Sequence, residues 1–442
     1  MAKPTLALIP ASQGSKVFSV LPSSGVGDFN FSRGSAATRI NSQGLIENVA
    51  SGQSRLEYPL IDGVVNGCPS LLLEPQTTNL VTYSEDFSNA YWTKTGASVV
   101  SDAAISPDGS LNADKLNILN TISEAKYLNS SVITVGGGTA TVVTTQMFVK
   151  KGEVTIVGLS DGHYNYGWVV ADLTNGSVIS VGGTGYISNS ITLLANDWYL
   201  ISLTFTTHST GTYKATCSLL DGSYVSGNPK TYTSIGVIGF GVYLYGFQAE
   251  VGSYPTSYIK SNSGSTTTRL AETATGAGDA TTFNDSEGVL MVEIANISES
   301  NNTTTAISIS NGGTSNAVTI YYFGSASGGL YYDIFNSDGT RSGSKPMTKI
   351  QQTYNNKISL KYKSGDIALW VNGFEVNTNT GTLNLSGLNE LSFDYGNGSF
   401  EFEGKTKQIQ YFDSVLTDSE LEQLTSWISF TDMANGQQYT IE

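Results

Sequence analysis

Apolar and polar positions alternate with a period of two along most of this chain, the mark of half-buried strands. Between residues 357 and 363, Ile358, Leu360 and Tyr362 alternate with Ser359, Lys361 and Lys363. Ser364-Gly365-Asp366 then turns the chain, and Ile367, Leu369 and Val371 form the next alternating face. Asn372-Gly373 follows, with residues that tolerate positive φ in another tight turn. Dipeptides of the same chemistry recur at Asp108-Gly109, Asp161-Gly162, Asn175-Gly176, Asp221-Gly222, Asp338-Gly339 and Asn397-Gly398, between short runs rich in Val, Ile, Tyr and Thr. This spacing predicts an all-β chain of antiparallel sandwiches. One segment departs from it: Leu421, Leu424 and Trp427 stand at helical spacing behind a Thr417/Glu420 capping box, which predicts one short C-terminal helix closing the last domain.

Shifts in this pattern divide the chain. Residues 1–76 hold short apolar pieces such as Leu71-Leu72-Leu73, with no long alternating set to enclose a core, and read as an arm or docking segment. Residues 77–262 carry enough strand candidates for one sandwich, among them Val154 to Leu159, Trp168 to Leu173, Trp198 to Phe205 and Gly236 to Phe247. A Ser/Thr/Gly/Ala stretch at 263–280 reads as a linker, and residues 281–442 supply the second sandwich. At 442 residues, more than one domain is expected.

Composition narrows the function. Charged residues are only 13% of the chain and its formal charge is −15, so the exterior must be Ser, Thr, Asn and Gly, and a phosphate-neutralising surface for nucleic acid is lacking. Cys68 and Cys217 are too few for a disulfide framework, and His163 and His208 lie far apart in sequence, which argues against a zinc enzyme. The run Leu6 to Ile9, broken by Pro10, is too short for a signal peptide, so standard secretion is not indicated. The longest apolar stretch, Ile235 to Phe247, is cut by glycines and falls short of the roughly 20 residues that span a bilayer. No Gly-x-Ser-x-Gly elbow, phosphate loop or His-Glu-x-x-His helix occurs, and the sequence is read as non-enzymatic. Glu401 and Glu403 alternate with Phe400 and Phe402, which suits an acid and a base on one strand face and equally suits a solvated face.

The stretch Phe29 to Glu47 (FNFSRGSAATRINSQGLIE), with RLEY from Arg55, LLLEPQTTNL from Leu71 and YSEDF from Tyr83, resembles a module common in bacteriophage virion proteins of the head-spike and tail-fibre type. The region from Asn79 to the QAEVGSYPTSYI motif ending at Ile259 resembles the jelly-roll carbohydrate-binding modules that accompany it. Residues 367–373 (IALWVNG) and 407–412 (KQIQYF) resemble concanavalin-like or laminin-G-like lectin sandwiches. The resemblance implies an N-terminal docking segment that meets other virion proteins, two projecting sandwiches and a place on the virion surface, and the avidity that several displayed copies would give weak lectin sites motivates a homo-oligomer, a trimer first. It also allows calcium, for which Glu85, Asp86 and Glu250 near the ends of the first sandwich are the candidates.

Sugar sites present aromatic faces to pyranose rings and amides or carboxylates to hydroxyls. The candidates are Tyr164, Tyr166 and Trp168 in the cluster His163 to Trp168, and Tyr322 and Tyr331 in the last domain. Trp168 also opens a strand of the kind whose aromatics fill cores, and alternation sends one of each pair Tyr321-Tyr322 and Tyr331-Tyr332 inward. Trp92, Trp198 and Trp370 read as packing residues. The expected function is a structural virion appendage that contacts host surface glycans; a decoration or collar protein and a polysaccharide depolymerase are the alternatives.

Overall fold

A computed structural model describes residues 2–299, 303–324, 329–346 and 350–437. It is an all-β chain of two antiparallel sandwiches, and among the described residues its α-helices are short and C-terminal. None of the described helices is long and apolar enough to cross a membrane.

The first sandwich, a jelly roll, faces two six-stranded sheets against each other. One runs Thr93–Thr95, Tyr127–Asn129, Thr216–Leu220, Ile156–Ser160, Trp168–Asp172, Ser177–Gly182. The other runs Ala97–Ile105, Leu111–Ile118, Gly241–Val251, Val142–Lys151, Trp198–Thr206, Tyr186–Leu193. Alternation delivers Val157, Leu159, Val169, Cys217 and Leu219 from the first sheet, and Val143, Met147, Ile201, Leu203 and Phe247 from the second, into one core. Trp92 belongs to that core, and Trp198 packs behind the second sheet with Phe148 and Tyr245.

The second sandwich is not confined to the C-terminal third of the chain. Its larger sheet runs Phe374–Asn379, Ile367–Val371, Asn356–Lys363, Glu287–Asn296, Gly404–Phe412, Ser70–Leu73, Arg55–Glu57, and Leu6–Leu8 also pairs with Gly404–Phe412. Leu6 lies opposite Tyr411 and Leu71 opposite Thr406. The smaller sheet runs Arg341–Pro346, Gly329–Phe335, Ala317–Phe323, Thr305–Ser310, Glu390–Ser392. Leu6, Leu8, Phe29, Phe31, Leu71 and Leu73 are buried in the same core as Ile307, Ile320, Leu360 and Ile409. The arm-like reading of residues 1–76 therefore meets a different arrangement: Leu6–Leu8 and Ser70–Leu73 pair with a strand more than three hundred residues away in sequence, and Phe29–Ser32 with one more than two hundred away. No local alternation can reveal such pairing.

The Ser/Thr/Gly stretch is likewise built in. Thr267–Arg269 pairs with Thr77–Asn79, and Thr273–Thr275 pairs with Phe29–Ser32. Between these ladders lies a buried ion network. The guanidinium of Arg55 donates to Glu272 (Nε to Oε1, 2.8 Å) and lies 2.8 Å from Glu74 Oε2, Arg33 reaches Glu272 at 2.5 Å, and Arg269 reaches Glu74 at 2.9 Å. Ser257 closes it, its N–H donating to Glu74 Oε1 at 2.8 Å. Burial opposes ionisation of Glu74, but Arg269 and Arg55 hold its carboxyl down to about 2.

At the C-terminus α1 (Asp418–Thr425) starts at Thr417 with both halves of the capping box, and Leu421 and Leu424 pack on Val289, Met291 and Trp370 behind the larger sheet. A second helix, α2 (Phe430–Gly436), is capped by Ser429. It adds to the short helix expected there. Seven residues offer too short a stretch for helical periodicity to register.

Candidate functional site

The first sheet of the jelly roll turns back on itself between Ile156–Ser160 and Trp168–Asp172, and loop 161–167 makes the turn. Asp161 builds this loop. Its carboxylate accepts the N–H groups of Tyr164 (3.4 Å), Asn165 (3.2 Å) and Tyr166 (2.7 Å), a local Asx-type cage that fixes three successive peptides. Burial raises the Asp161 carboxyl above its ordinary range, and those same N–H groups pull it back. Gly162 follows at φ 57°, where a Cβ would overlap Thr216 Oγ1, so only glycine fits. Its carbonyl accepts Lys230 Nζ, and Asn228 Nδ2 donates to Asn165 Oδ1 at 2.9 Å, tying the loop to the strap that crosses the sheet at 221–234.

On this frame stand the rings of His163, Tyr164 and Tyr166, and His208 joins them from the turn after Trp198–Thr206. Tyr164 is stacked between His163, centroid 3.9 Å away, and His208, 4.1 Å away, while Tyr166 meets His208 edge-on at 5.5 Å. The two histidines, remote in sequence, thus close on the two faces of one tyrosine. Tyr164 remains exposed, but through its edge and hydroxyl, because both ring faces are covered. The outward ring face belongs to His163, which is also exposed. Burial lowers the His163 pKa, and the nearby cations of Lys214 and Lys230 lower it further. Lys214 is held beside the loop by its own N–H, which donates to the Asp161 carbonyl at 2.7 Å. A net-acidic chain therefore gathers both its histidines and two lysines around this rim.

Trp168 does not join the stack. Its ring lies along Gly182, where a Cβ would overlap it, and packs with Val170, Leu220 and Tyr224 beneath the strap. Its Nε1 is buried without a partner. Tyr322 and Tyr331 sit in the other sandwich. Tyr322 points into the core and cannot meet a ligand from solvent, a correction that follows from strand alternation: Ile320, Tyr322, Leu330 and Tyr332 share the inner face. Tyr331 points outward and stacks on Tyr321 at 5.5 Å.

The calcium candidates are engaged separately. Glu85 accepts from Tyr258 and Asn262, Asp86 from Ser88 and Asn89, and Glu250 from Thr256 and Gln146. Among the described residues no three His, Cys, Asp or Glu side chains are placed to hold a metal. Glu403 accepts the hydroxyl of Tyr254 at 3.3 Å, and it and Glu401 precede the strand Gly404–Phe412 instead of lying on it. The signal missed in the sequence was His208, whose only hint is that it is one of two histidines.

No family model and no curated protein matches this chain. It is similar to the solved structure of the CBM40 of Ruminococcus gnavus IT-sialidase at 18% identity over 34% of this chain and 92% of that one, with a TM-score of 0.29. The same module has been solved bound to alpha2,3 sialyllactose. Domain 4 of the GH43 extracellular arabinanase AbnA from Geobacillus stearothermophilus, in complex with arabinotriose, is 14% identical over 39% of this chain and 82% of that one, TM-score 0.27. Domains LG4-5 of the mouse laminin alpha1 chain are 11% identical over 66% of this chain and 86% of that one, TM-score 0.22. The lectin-like β-sandwich class assigned here rests on the strand order and cores of this chain itself.

Proposed function

We propose that this chain is a non-enzymatic bacteriophage virion appendage, of head-spike or tail-fibre type, that contacts host surface glycans through the jelly-roll rim around loop 161–167. The observation that carries the glycan reading is the His163–Tyr164–His208 stack, exposed at His163 and Tyr164, beside Lys214 and Lys230. Aromatic edges and faces suit sugar C–H surfaces, and the adjacent cations favour a saccharide that bears carboxylates. The virion reading draws its support from the motif residues. Arg33, Arg55 and Glu74 of the phage-like stretches, and Ser257 of the closing jelly-roll motif, meet in one buried network, so the resemblance falls on residues that hold the chain together. Ile9, Phe18, Val20 and Val26 leave apolar surface on the N-terminal segment for a virion partner.

A homo-oligomer fits the same reading. Ile235, Val237, Ile238 and Phe240 are exposed on one loop, which is hydrogen-bonded to the 118–122 loop bearing exposed Leu119 and Ile122. Together they present on the order of 600 Å² of apolar surface, at the upper end of what monomers leave uncovered. Several copies would multiply weak glycan contacts into firm adhesion.

Affinity electrophoresis of the full chain through gels containing polygalacturonate or alginate tests the rim. Retardation that falls at least about tenfold in Tyr164→Ala and in Lys214→Glu, with unchanged melting temperature, supports it. Equal migration of all three proteins, or no binding to acidic polymers or host cells, overturns it and leaves the decoration role.

A further inference from the structure

The outer face of the five-stranded sheet carries a second set of aromatic residues. Because Val318, Ile320, Leu330, Tyr332 and Ile334 face the core, alternation turns Thr319, Tyr321, Phe323, Tyr331, Asp333 and Phe335 outward. The register sets Tyr321 opposite Tyr331, and Thr319 opposite both Ser308 and Asp333. Tyr321 and Tyr331 stack at 5.5 Å, and Phe323 leans on Tyr331 at 5.2 Å. Phe323 is 41% exposed and Tyr331 half-exposed.

Loop 394–400 folds over one end of this face. The hydroxyl of Tyr395 donates to Asp333 Oδ2 at 2.5 Å, and its ring meets Tyr321 and Phe400 edge-on at 5.5 and 5.7 Å. Arg341 completes the polar centre: its Nε lies 3.3 Å from Asp333 Oδ1 and its guanidinium sits over Phe335 at 4.9 Å. Beneath lie Ser308 Oγ and Thr319 Oγ1, wholly buried and, among the described residues, without a hydrogen-bond partner. Buried hydroxyls are ordinarily paired, and unpaired ones mark places that an ordered water completes.

Phe400 adds an independent sign. Its φ is 55°, a left-handed conformation costly for any residue with a Cβ, and yet its ring is 50% exposed. Strain without compensating burial gathers at binding loops. Charge then selects the ligand. Glu390, Asp394 and Glu401 crowd this end of the sheet, where burial and mutual repulsion hold the Asp394 and Glu401 carboxyls above their ordinary range. An anionic saccharide would be repelled there.

We propose that this face is a second saccharide site, specific for a neutral hexopyranose unit. The C–H face of the sugar lies on Phe323, Tyr331 and Phe400, and its hydroxyls reach the half-exposed guanidinium of Arg341, which the buried Asp333 holds in place. The site is separate from the rim in place and in ligand charge.

The test uses the full chain in native gels cast with dextran, mannan, laminarin or galactan, and with polygalacturonate as the acidic control. At least one neutral polymer should retard the wild type. The Phe323→Ala/Phe400→Gly double variant should lose that retardation by tenfold or more and keep any shift in polygalacturonate, whereas Tyr164→Ala should keep the neutral shift. Phe400→Gly alone should melt at the same or a higher temperature, because glycine takes the left-handed backbone without strain. Neutral retardation that survives the double variant, or its absence for all four polymers, overturns the site. A lowered melting temperature for Phe400→Gly would make Phe400 a structural residue and remove it from the ligand surface.

Discussion

The two sandwiches are built from the same alternating strands but close differently. The jelly roll draws its core from one uninterrupted stretch, with Val81 and Ala249 among its outermost contributors in sequence. The second sandwich joins strands from both ends of the chain, Leu6 beside Tyr411 and Leu73 beside Gly404. The first can form as the chain is made. The second must wait for distant segments, and the entropy of closing that loop has to be met by the contacts that follow. The buried Arg55–Glu74–Glu272 network sits where the two meet, so integrity of the second sandwich depends on residues lying before and just after the jelly roll.

Removing residues 1–76 should break this asymmetry most strongly. Each of Leu6, Leu8, Leu71 and Leu73 takes about 1.5–3 kcal/mol of burial with it, which together approaches the whole stability of a domain. The truncated chain should show one cooperative calorimetric transition, that of the jelly roll, and a fragment of residues 77–262 should reproduce it. Two full transitions in the truncated chain would refute the interdependence.

Arg55→Ala is the next largest. It leaves Glu74 and Glu272 buried with fewer cations, and removal of one partner from a buried ion set costs about 3–5 kcal/mol. The loss should fall on the second-sandwich transition, with the jelly-roll transition moved far less in the same scan.

Acidity should separate the two regions further. In the jelly roll, burial raises the Asp114 carboxyl from its ordinary 3.8 to about 6, so the folded state holds a proton that the unfolded chain has released. Its contribution is present below pH 3.8 and is lost as pH rises through about 6, a weakening on the order of 2–3 kcal/mol by neutrality. Glu74 runs the other way. With its folded value depressed from 4.5 to about 2, its contribution is present above pH 4.5 and is lost only as pH falls through about 2. Between pH 4.5 and 7 the jelly-roll transition should therefore drop while the junction holds steady. Parallel shifts of both transitions would contradict the opposed titrations.

Much of this was legible in the residues. Alternation such as Ile358/Leu360/Tyr362 and turn pairs such as Asn372-Gly373 are local signals, and those strands and turns are where the pattern put them. Thr417 and Glu420 fixed the start of α1 because a capping box spans only four residues. The candidate rim was half legible: Asp161-Gly162 and the tyrosines beside it could be read, but His208 could not.

The sequence by itself therefore determined the elements: strand periodicity, turn chemistry, the first helix and an uncharged exterior all depend on neighbours within a few residues. Only the tertiary structure decided which strands pair, that Leu6 closes a sheet with Tyr411, that Tyr322 faces inward while Tyr331 faces out, and that both histidines flank Tyr164. Those outcomes turn on register and on contacts between remote segments, where a shift of one residue exchanges core for solvent and no local pattern records the choice.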